Sequence, residues 1–296
     1  MKISGQLKGS LLAIMGGTCW GVSGCVGQYL FTVQHMDSEW LVPIRLFTAG
    51  LIISIYYLIK DPAMFVSPWK EKRTAAELLV YGILGVGCCQ FTYFLTIQLS
   101  SAGMATILQD ISPVMILGVV CIASKRKPKF FEIISLILAL IGVFLITTHG
   151  SFNRLVISPA ALITGMISAV CVAIYTLTPV TLQKKHPTSL MQAWAFLMSG
   201  VLFGLIFQSW KIDYVPNIIG IFGIIVVVIV GNILAFTTYM TGVKIIGPQK
   251  ASLYSFAEPV AAAIISTTLL KGVFTIWDAL GFGCIFAMMA LLGRKK

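Results

Sequence analysis

The segment Gln90–Met115, QFTYFLTIQLSSAGMATILQDISPVM, matches the segment Phe236–Ala261, FTTYMTGVKIIGPQKASLYSFAEPVA, without gaps at a constant offset of 146 residues. Identical pairs in this alignment include Tyr93 with Tyr239, Ala105 with Ala251 and Pro113 with Pro259. The match predicts a duplicated unit. Since each half contains five apolar segments, an odd number, the two copies are expected to cross a bilayer in opposite orientations. Such inverted repeats are typical of secondary transporters.

The composition indicates an integral membrane protein. Hydrophobic residues make up 58% of the 296 residues and charged residues only 10%, against about 25% charged residues in a soluble domain. The fold class expected is an all-α membrane protein, with ten transmembrane helices arranged as two inverted five-helix repeats, residues 1–150 and 151–296, around a central cavity. The predicted spans are 9–31, 39–59, 75–97, 101–123, 129–148, 157–182, 188–208, 217–241, 250–270 and 273–292.

The net charge of +11 is distributed unevenly between the predicted loops. Seventeen Lys and Arg residues lie on one predicted side of the membrane, against Arg154, Lys211 and Lys271 on the other. Cytoplasmic loops carry this excess of positive charge. The pattern predicts a multi-pass protein of the cell (plasma or inner) membrane with both termini cytoplasmic, and it explains the charge without a nucleic-acid partner.

Several classes of site are not supported by the sequence. The seven cysteines lie in apolar stretches without a CxxC pair, and the three histidines fall in loops or at helix ends, so neither a disulfide framework nor a metal site is expected. No GxxxxGK[ST] motif is present, which argues against ATP drive within this chain. The first apolar segment is interpreted as a retained helix rather than a signal peptide, because a suitable cleavage site does not follow it. No cofactor is expected.

Proline occurs at matching depth in the two halves, at Pro113 and Pro259. A proline within a helix frees a backbone carbonyl one turn earlier, and such a break is tolerated in a membrane only where protein or water covers the freed group. Both prolines are therefore predicted to lie on surfaces that face a central cavity. A simple packing kink is the alternative.

Three ionisable residues fall within predicted spans, where a charged group at a helix centre costs about 2.5–3.5 kcal/mol on insertion scales. Glu258 directly precedes Pro259, and Asp110 precedes Pro113 by three residues. Because burial favours the protonated form of a carboxyl group, either residue is a candidate proton or substrate site, or a hydrogen-bonding group that fixes helix packing. Arg45 could extend to the interface, pair with Asp110, or bind a substrate carboxylate.

Polar and aromatic side chains at similar depth complete the candidate site, because small-ligand pockets are mostly apolar with a few directed polar groups. Packing or anchoring at the membrane interface is the alternative for the aromatic residues. The candidates are Gln109, Asn232, Trp20, Tyr93, Tyr175, Trp194 and Tyr239.

The segments GMATILQDISPVM and KASLYSFAEPVAA, with the duplicated ten-helix plan, resemble the EamA repeat of the drug/metabolite transporter superfamily over nearly the full chain. The pair Glu258-Pro259 is similar to a Glu-Pro pair in that repeat, and GGTCWG in the first segment resembles its opening, which implies that Trp20 lies at the cavity. Relatives often carry a Gly-Glu pair after the fourth and ninth helices. This chain has IASKRKP and LLKGVF at those places, so any role of that acidic residue in relatives does not carry over to this chain.

The resemblance implies alternating-access transport of a small metabolite such as an amino acid or amine, commonly as export, by a secondary active or facilitative mechanism. It also implies that helices five and ten are peripheral. The expected partners are a small-molecule substrate, the lipid bilayer and protons, and both a monomer and a homodimer stay open. The alternatives are an importer of choline-like or other cationic solutes, a non-transporting membrane sensor, and an intramembrane enzyme. The enzyme hypothesis rests on GVSG (Gly21–Gly24), which resembles the rhomboid-protease nucleophile motif and would require a base for Ser23.

Overall fold

The computed structural model describes residues 5–151, 158–268 and 275–293, and within these ranges the chain is helical and contains no strand. Among the described residues, eight helices are long and apolar enough to cross a membrane. They are α1 (Gly5–Thr32), α2 (Ser38–Lys60), α3 (Lys72–Leu99), α4 (Ala102–Ala123), α5 (Phe130–Thr148), α6 (Pro159–Lys185), α7 (Thr188–Phe207) and α8 (Ile218–Ile246).

The last part of the chain forms shorter helices. The predicted ninth span, 250–270, is not one continuous helix: α9 (Pro248–Tyr254) and α10 (Ala257–Thr268) are separated by a two-residue turn. The predicted tenth span corresponds to α11 (Ile276–Gly293), whose apolar part, Ile276–Leu291, is shorter than the eight long helices. The count of ten spans therefore stays a prediction.

The two halves share local irregularities at matching places. Both α3 and α8 contain an eight-residue π-helical segment, Val80–Gly87 and Val227–Leu234. In α4, a turn at Asp110 and Ile111 interrupts the helix just before Pro113, as the turn between α9 and α10 does before Pro259. π-Helical segments occur often at functional sites.

Helices of the two halves pack reciprocally against each other. Helix α1 packs on α8 and α10, while α6 packs on α3 and α4. Helices α2 and α7 form a close pair in which a Cβ at Gly50 would overlap the main chain of Leu197, and a Cβ at Gly200 would overlap that of Phe47. Small residues allow such close approach between membrane helices. Helices α5 and α11 pair with each other, and α5 is the least buried of the eight long helices.

The predicted orientation depends partly on charges that the structure does not describe. Six of the basic residues used in that argument lie outside the described ranges: Lys2, Arg154, Lys271, Arg294, Lys295 and Lys296. The cytoplasmic placement of both termini therefore stays a prediction.

Candidate functional site

A small cavity lies where the two halves meet. Its volume is about 20 Å³, which is about enough for one water molecule. Helices α1 to α4 of the first half and α6 and α10 of the second half contribute to its wall. The lining residues are Trp20, Ser23, Arg45, Cys89, Gln90, Tyr93, Phe94, Gln109, Tyr175 and Glu258.

Glu258 is the carboxylate of this cavity. It lies in the first turn of α10 and is only 5% exposed. The Tyr93 hydroxyl donates to its Oε1 atom at 2.8 Å, and the Thr106 hydroxyl lies 3.3 Å from the same oxygen and 3.1 Å from the Tyr93 hydroxyl. Both hydroxyls come from the first half. A buried carboxyl of the second half is thus hydrogen-bonded by α3 and α4.

Arg45 is the cation of the cavity, and it is 1% exposed. Its Nε atom donates to Asn232 Oδ1 at 2.8 Å, its Nη2 atom donates to the same oxygen, and its guanidinium carbon lies 3.9 Å from the centre of the Phe94 ring. The guanidinium therefore does not extend to a membrane interface, and its partner is the amide of Asn232 rather than Asp110. Asn232 is brought there by the π-helical segment of α8.

Four buried polar atoms of the lining residues find no hydrogen-bonding partner within the described part of the chain: Trp20 Nε1, Ser23 Oγ, Arg45 Nη1 and Gln90 Oε1. A buried polar group without a partner costs about 1–3 kcal/mol. Most buried polar groups in proteins are paired with protein or water. The concentration of four unpaired atoms around one cavity indicates a place where another molecule completes the hydrogen bonds.

Aromatic rings form the other side of the cavity. The Trp20 ring centre lies 5.0 Å from Phe236, 4.9 Å from Tyr239 and 6.4 Å from Tyr175. Tyr175 lines the cavity with Trp20, whereas the Tyr239 hydroxyl lies behind, 3.4 Å from that of Thr176. The predicted residues Trp20, Tyr175 and Tyr239 are thus brought together.

Two predicted site residues lie elsewhere. Asp110 does not line the cavity; it is 8% exposed in the interruption of α4, and its Oδ2 atom has no hydrogen-bonding partner. Trp194 stacks on Phe65 with ring centres 4.4 Å apart and donates to its carbonyl at 2.8 Å. Gln109 does reach the cavity, and its amide donates to Ser168 Oγ at 2.6 Å.

Four lining residues were not among the predicted site residues: Ser23, Cys89, Gln90 and Phe94. Helical spacing could have identified all four, since side chains three and four residues apart share a helix face. Ser23 lies three residues after Trp20, Cys89 and Gln90 lie four and three residues before Tyr93, and Phe94 lies four residues after Gln90.

Helix α1 covers the second proline break. Pro259 has no N–H to donate to the carbonyl of Ser255, which accepts from the Glu258 N–H at 2.8 Å instead, and a Cβ at Gly17 would lie 2.6 Å from that oxygen. The prediction that both prolines face a central cavity stays a prediction. Only glycine allows the helix to approach this closely. Pro259 and Pro113 are both buried.

Ser23, proposed above as a nucleophile, has no base beside it. Its Oγ atom makes no hydrogen bond to any residue that the structure describes. His149 and His186 follow the ends of α5 and α6, and His35 lies in the loop after α1. Nucleophilic catalysis needs a base within hydrogen-bonding reach, and among the described residues no base is hydrogen-bonded to Ser23 Oγ.

A polar cluster joins the halves at one end of the bundle, where α3 begins and α6 ends. Lys185 Nζ lies 2.6 Å from Glu71 Oε2, and the Thr181 hydroxyl donates to Glu77 Oε2 at 2.7 Å. The hydrogen bond from Lys185 lowers the pKa of Glu71. These residues line a groove of about 260 Å³. The cluster closes this end of the contact between α3 and α6.

Comparison with known proteins extends the likeness over the whole chain. The chain is 33% identical over 285 residues to YicL of Salmonella typhimurium, described as an uncharacterized inner membrane transporter, covering 96% of this chain and 95% of YicL. It is 24% identical to the uncharacterized transporter YetK of Bacillus subtilis, covering 77% of this chain and 71% of YetK. One solved crystal structure shares the fold, with a TM-score of 0.76 at 16% identity over 99% of this chain and 98% of that chain.

The model of a single family matches both halves, at residues 7–148 and 159–294. The chain therefore belongs to the EamA-like transporter family.

Proposed function

We propose that this protein is a secondary transporter that moves a small metabolite, an amino acid or amine, by alternating access, with export as the direction. The proposal includes ten spans in two inverted repeats, residues 1–150 and 151–296, and cytoplasmic termini in the cell membrane. The observation that carries it is the central cavity, which places a guanidinium, a carboxylate and aromatic rings from both halves around one point.

The position of the cavity supports alternating access. Transporters with inverted repeats hold their substrate at the interface of the repeats, near broken helices, and open it by moving one repeat against the other. Here Glu258 lies three residues after the start of the break between α9 and α10, and its hydrogen-bond donors belong to the other half. A relative movement of the halves would change the environment of this carboxyl.

The size of the cavity supports the proposal that this conformation is a closed state. A volume of about 20 Å³ excludes an amino acid or amine, since pockets for small molecules measure about 300 Å³ or more. The polar cluster at Glu71 and Lys185 joins α3 and α6 at one end of the bundle. Separation of these helices would open the cavity towards that end.

Glu258 is the proposed site of proton coupling. A carboxyl group in a buried site is more easily protonated than one in water, and the Tyr93 and Thr106 hydroxyls can donate to it or accept from it. Exchange of a proton against the substrate would then couple flux to a pH gradient. A facilitative mechanism would lack this dependence.

A cationic solute such as choline is the second candidate. Aromatic cages bind quaternary ammonium groups, and the rings of Trp20 and Tyr175 beside Glu258 favour such a ligand. The guanidinium of Arg45 in the same cavity opposes it, because like charges in a buried site repel each other.

Solute uptake by the purified protein in proteoliposomes tests the proposal. Labelled amino acids, amines and quaternary ammonium compounds would be compared, with and without an imposed pH gradient. We expect saturable uptake of one amino acid or amine class that depends on the gradient. Uptake of quaternary ammonium compounds alone would favour the second candidate, and absence of flux for every compound would contradict transport of these solutes.

A further inference from the structure

We infer that Arg45, Trp20 and Ser23 form a binding subsite for a carboxylate, and that the site as a whole accepts a zwitterionic α-amino acid whose ammonium group lies at Glu258. The inference rests on the proposed transport function and specifies its substrate class. Nothing about the duplicated fold itself requires such a subsite.

The first step is the chemistry of the unpaired atoms. Trp20 Nε1 and Arg45 Nη1 are donors only, and the Ser23 hydroxyl can donate. All three are buried, line the same cavity and have no hydrogen-bonding partner among the described residues. The fourth unpaired atom of the lining, Gln90 Oε1, is an acceptor. Three unpaired donors against this one acceptor indicate a ligand group rich in acceptors, and a carboxylate offers about four acceptor positions on two oxygens.

The second step is their proximity. Trp20 and Ser23 lie three residues apart on α1, so they share one face of the helix. Ser23 and Arg45 both border Gly231: a Cβ built there would overlap Ser23 Oγ and lie 3.5 Å from Arg45 Nη2. The absence of a side chain at Gly231 keeps both polar groups beside the cavity.

The third step is the charge of Arg45. Its guanidinium is held by a neutral amide and an aromatic ring, and no carboxylate among the described residues pairs with it at salt-bridge distance. Arg Nε and Nη2 are occupied by Asn232, whereas Nη1 is free. The guanidinium is thus oriented by Asn232 so that its unpaired donor is available to an anion.

The fourth step is the carboxylate of Glu258, which would bind the ammonium group of the substrate. The hydrogen bonds that Tyr93 and Thr106 make to Glu258 both go to Oε1 and leave Oε2 to other partners. An ammonium group can use that oxygen. One cation and one carboxylate in the cavity match a zwitterion without any change of net charge, whereas a simple amine would leave Arg45 unpaired. The rings of Trp20 and Tyr175 suit an apolar side chain.

The test compares the proteinogenic L-amino acids with their primary amides, by titration into purified protein in lipid nanodiscs. At about pH 6 the ammonium groups of both compounds are protonated, so each pair differs only in the carboxylate. We expect an amino acid with an apolar side chain to bind about 10- to 150-fold more tightly than its amide, the range for a hydrogen bond to a charged group.

Trp20→Phe removes one donor and keeps an aromatic ring. We expect it to reduce the preference for the acid over the amide by about tenfold, and Ser23→Ala to act in the same direction. Trp69→Phe is the matched control, because Trp69 Nε1 is also buried and unpartnered but does not line the cavity. It should leave the preference unchanged.

Equal binding of acids and amides, or binding of no amino acid, would overturn the subsite. The proposed function would survive that result if amines or other solutes still showed saturable flux in proteoliposomes. Conversely, acid-selective binding without flux would support the subsite and contradict transport, so the two failures are distinguishable.

Discussion

Replacement of Asn232 by Leu removes the hydrogen-bond acceptor of a fully buried cation. Two nitrogens of Arg45 donate to Asn232 Oδ1, and hydrogen bonds to a charged group contribute about 1.5–3 kcal/mol each. Their sum, about 3–6 kcal/mol, agrees with the cost of about 3–5 kcal/mol for leaving one partner of a buried pair uncompensated. The contact of the guanidinium with the Phe94 ring would remain.

The assay is the apparent unfolding temperature of the purified protein in detergent, followed by size-exclusion chromatography after heating. A loss of 1 kcal/mol lowers Tm by about 2–4 °C in larger domains, so we expect Asn232→Leu to lower it by about 10 °C. Asn232→Asp has a similar shape and supplies a carboxylate to Arg45. It should unfold at or above the temperature of the original protein.

A double variant separates stability from function. Replacing both partners of a buried polar pair by apolar residues is often neutral for stability. The double variant Arg45→Met, Asn232→Leu should therefore recover most of the stability that Asn232→Leu loses. It should not bind substrate, because it lacks the guanidinium. If Asn232→Leu unfolds within about 2 °C of the original protein, or if the double variant is no more stable than the single one, the coupling between these residues is refuted.

Three other perturbations follow from the geometry. Glu258→Gln keeps the shape of the side chain but cannot release a proton, so flux should lose its pH dependence at unchanged expression; a retained pH profile would exclude this carboxyl as the proton site. Gly17→Ala brings a Cβ to 2.6 Å from a backbone oxygen and should lower the free energy of unfolding by about 1–3 kcal/mol. Gly118→Ala is the control, because a Cβ there meets nothing within 4 Å, and it should not lower the unfolding temperature. Equal effects of the two variants would refute the close packing of α1. The lowered pKa of Glu71 means that its ion pair with Lys185 is present above the ordinary Glu pKa of about 4.3 and is lost as pH falls through the lowered pKa. The distance between spin labels on α3 and α6 should therefore increase only when the pH falls below about 4.3. Glu71→Gln should remove this response to pH.

Several residues of the candidate site were predictable because a charged residue within an apolar segment is energetically costly and often marks a functional site. Glu258 and Arg45 both line the cavity that the sequence predicts. Asp110 does not, although its depth was judged similar. At the offset of 146 residues, Asp110 aligns with the buried Phe256 and Ser112 aligns with Glu258. The alignment of the two repeats therefore distinguishes Glu258 from Asp110, whereas their predicted depth in the membrane does not.

The partners of these residues were not predictable from local sequence. Arg45 and Asn232 are 187 residues apart in the chain and meet only because α2 and α8 pack together. The π-helical segments of α3 and α8 contain glycine but no proline, and glycine within an apolar span does not by itself predict a π-helix. Trp194 and Trp20 are chemically the same, and only the packing of Trp194 against Phe65 separates their roles.

Counterflow in proteoliposomes tests the central claim most directly, because only a carrier with one alternately exposed site exchanges solute across the membrane in this way. Vesicles containing the purified protein would be loaded with unlabelled amino acid and diluted into a trace of the same labelled compound. The account predicts a transient accumulation of label above its equilibrium level, absent in the Arg45→Met, Asn232→Leu variant. A monotonic approach to equilibrium without accumulation would contradict it.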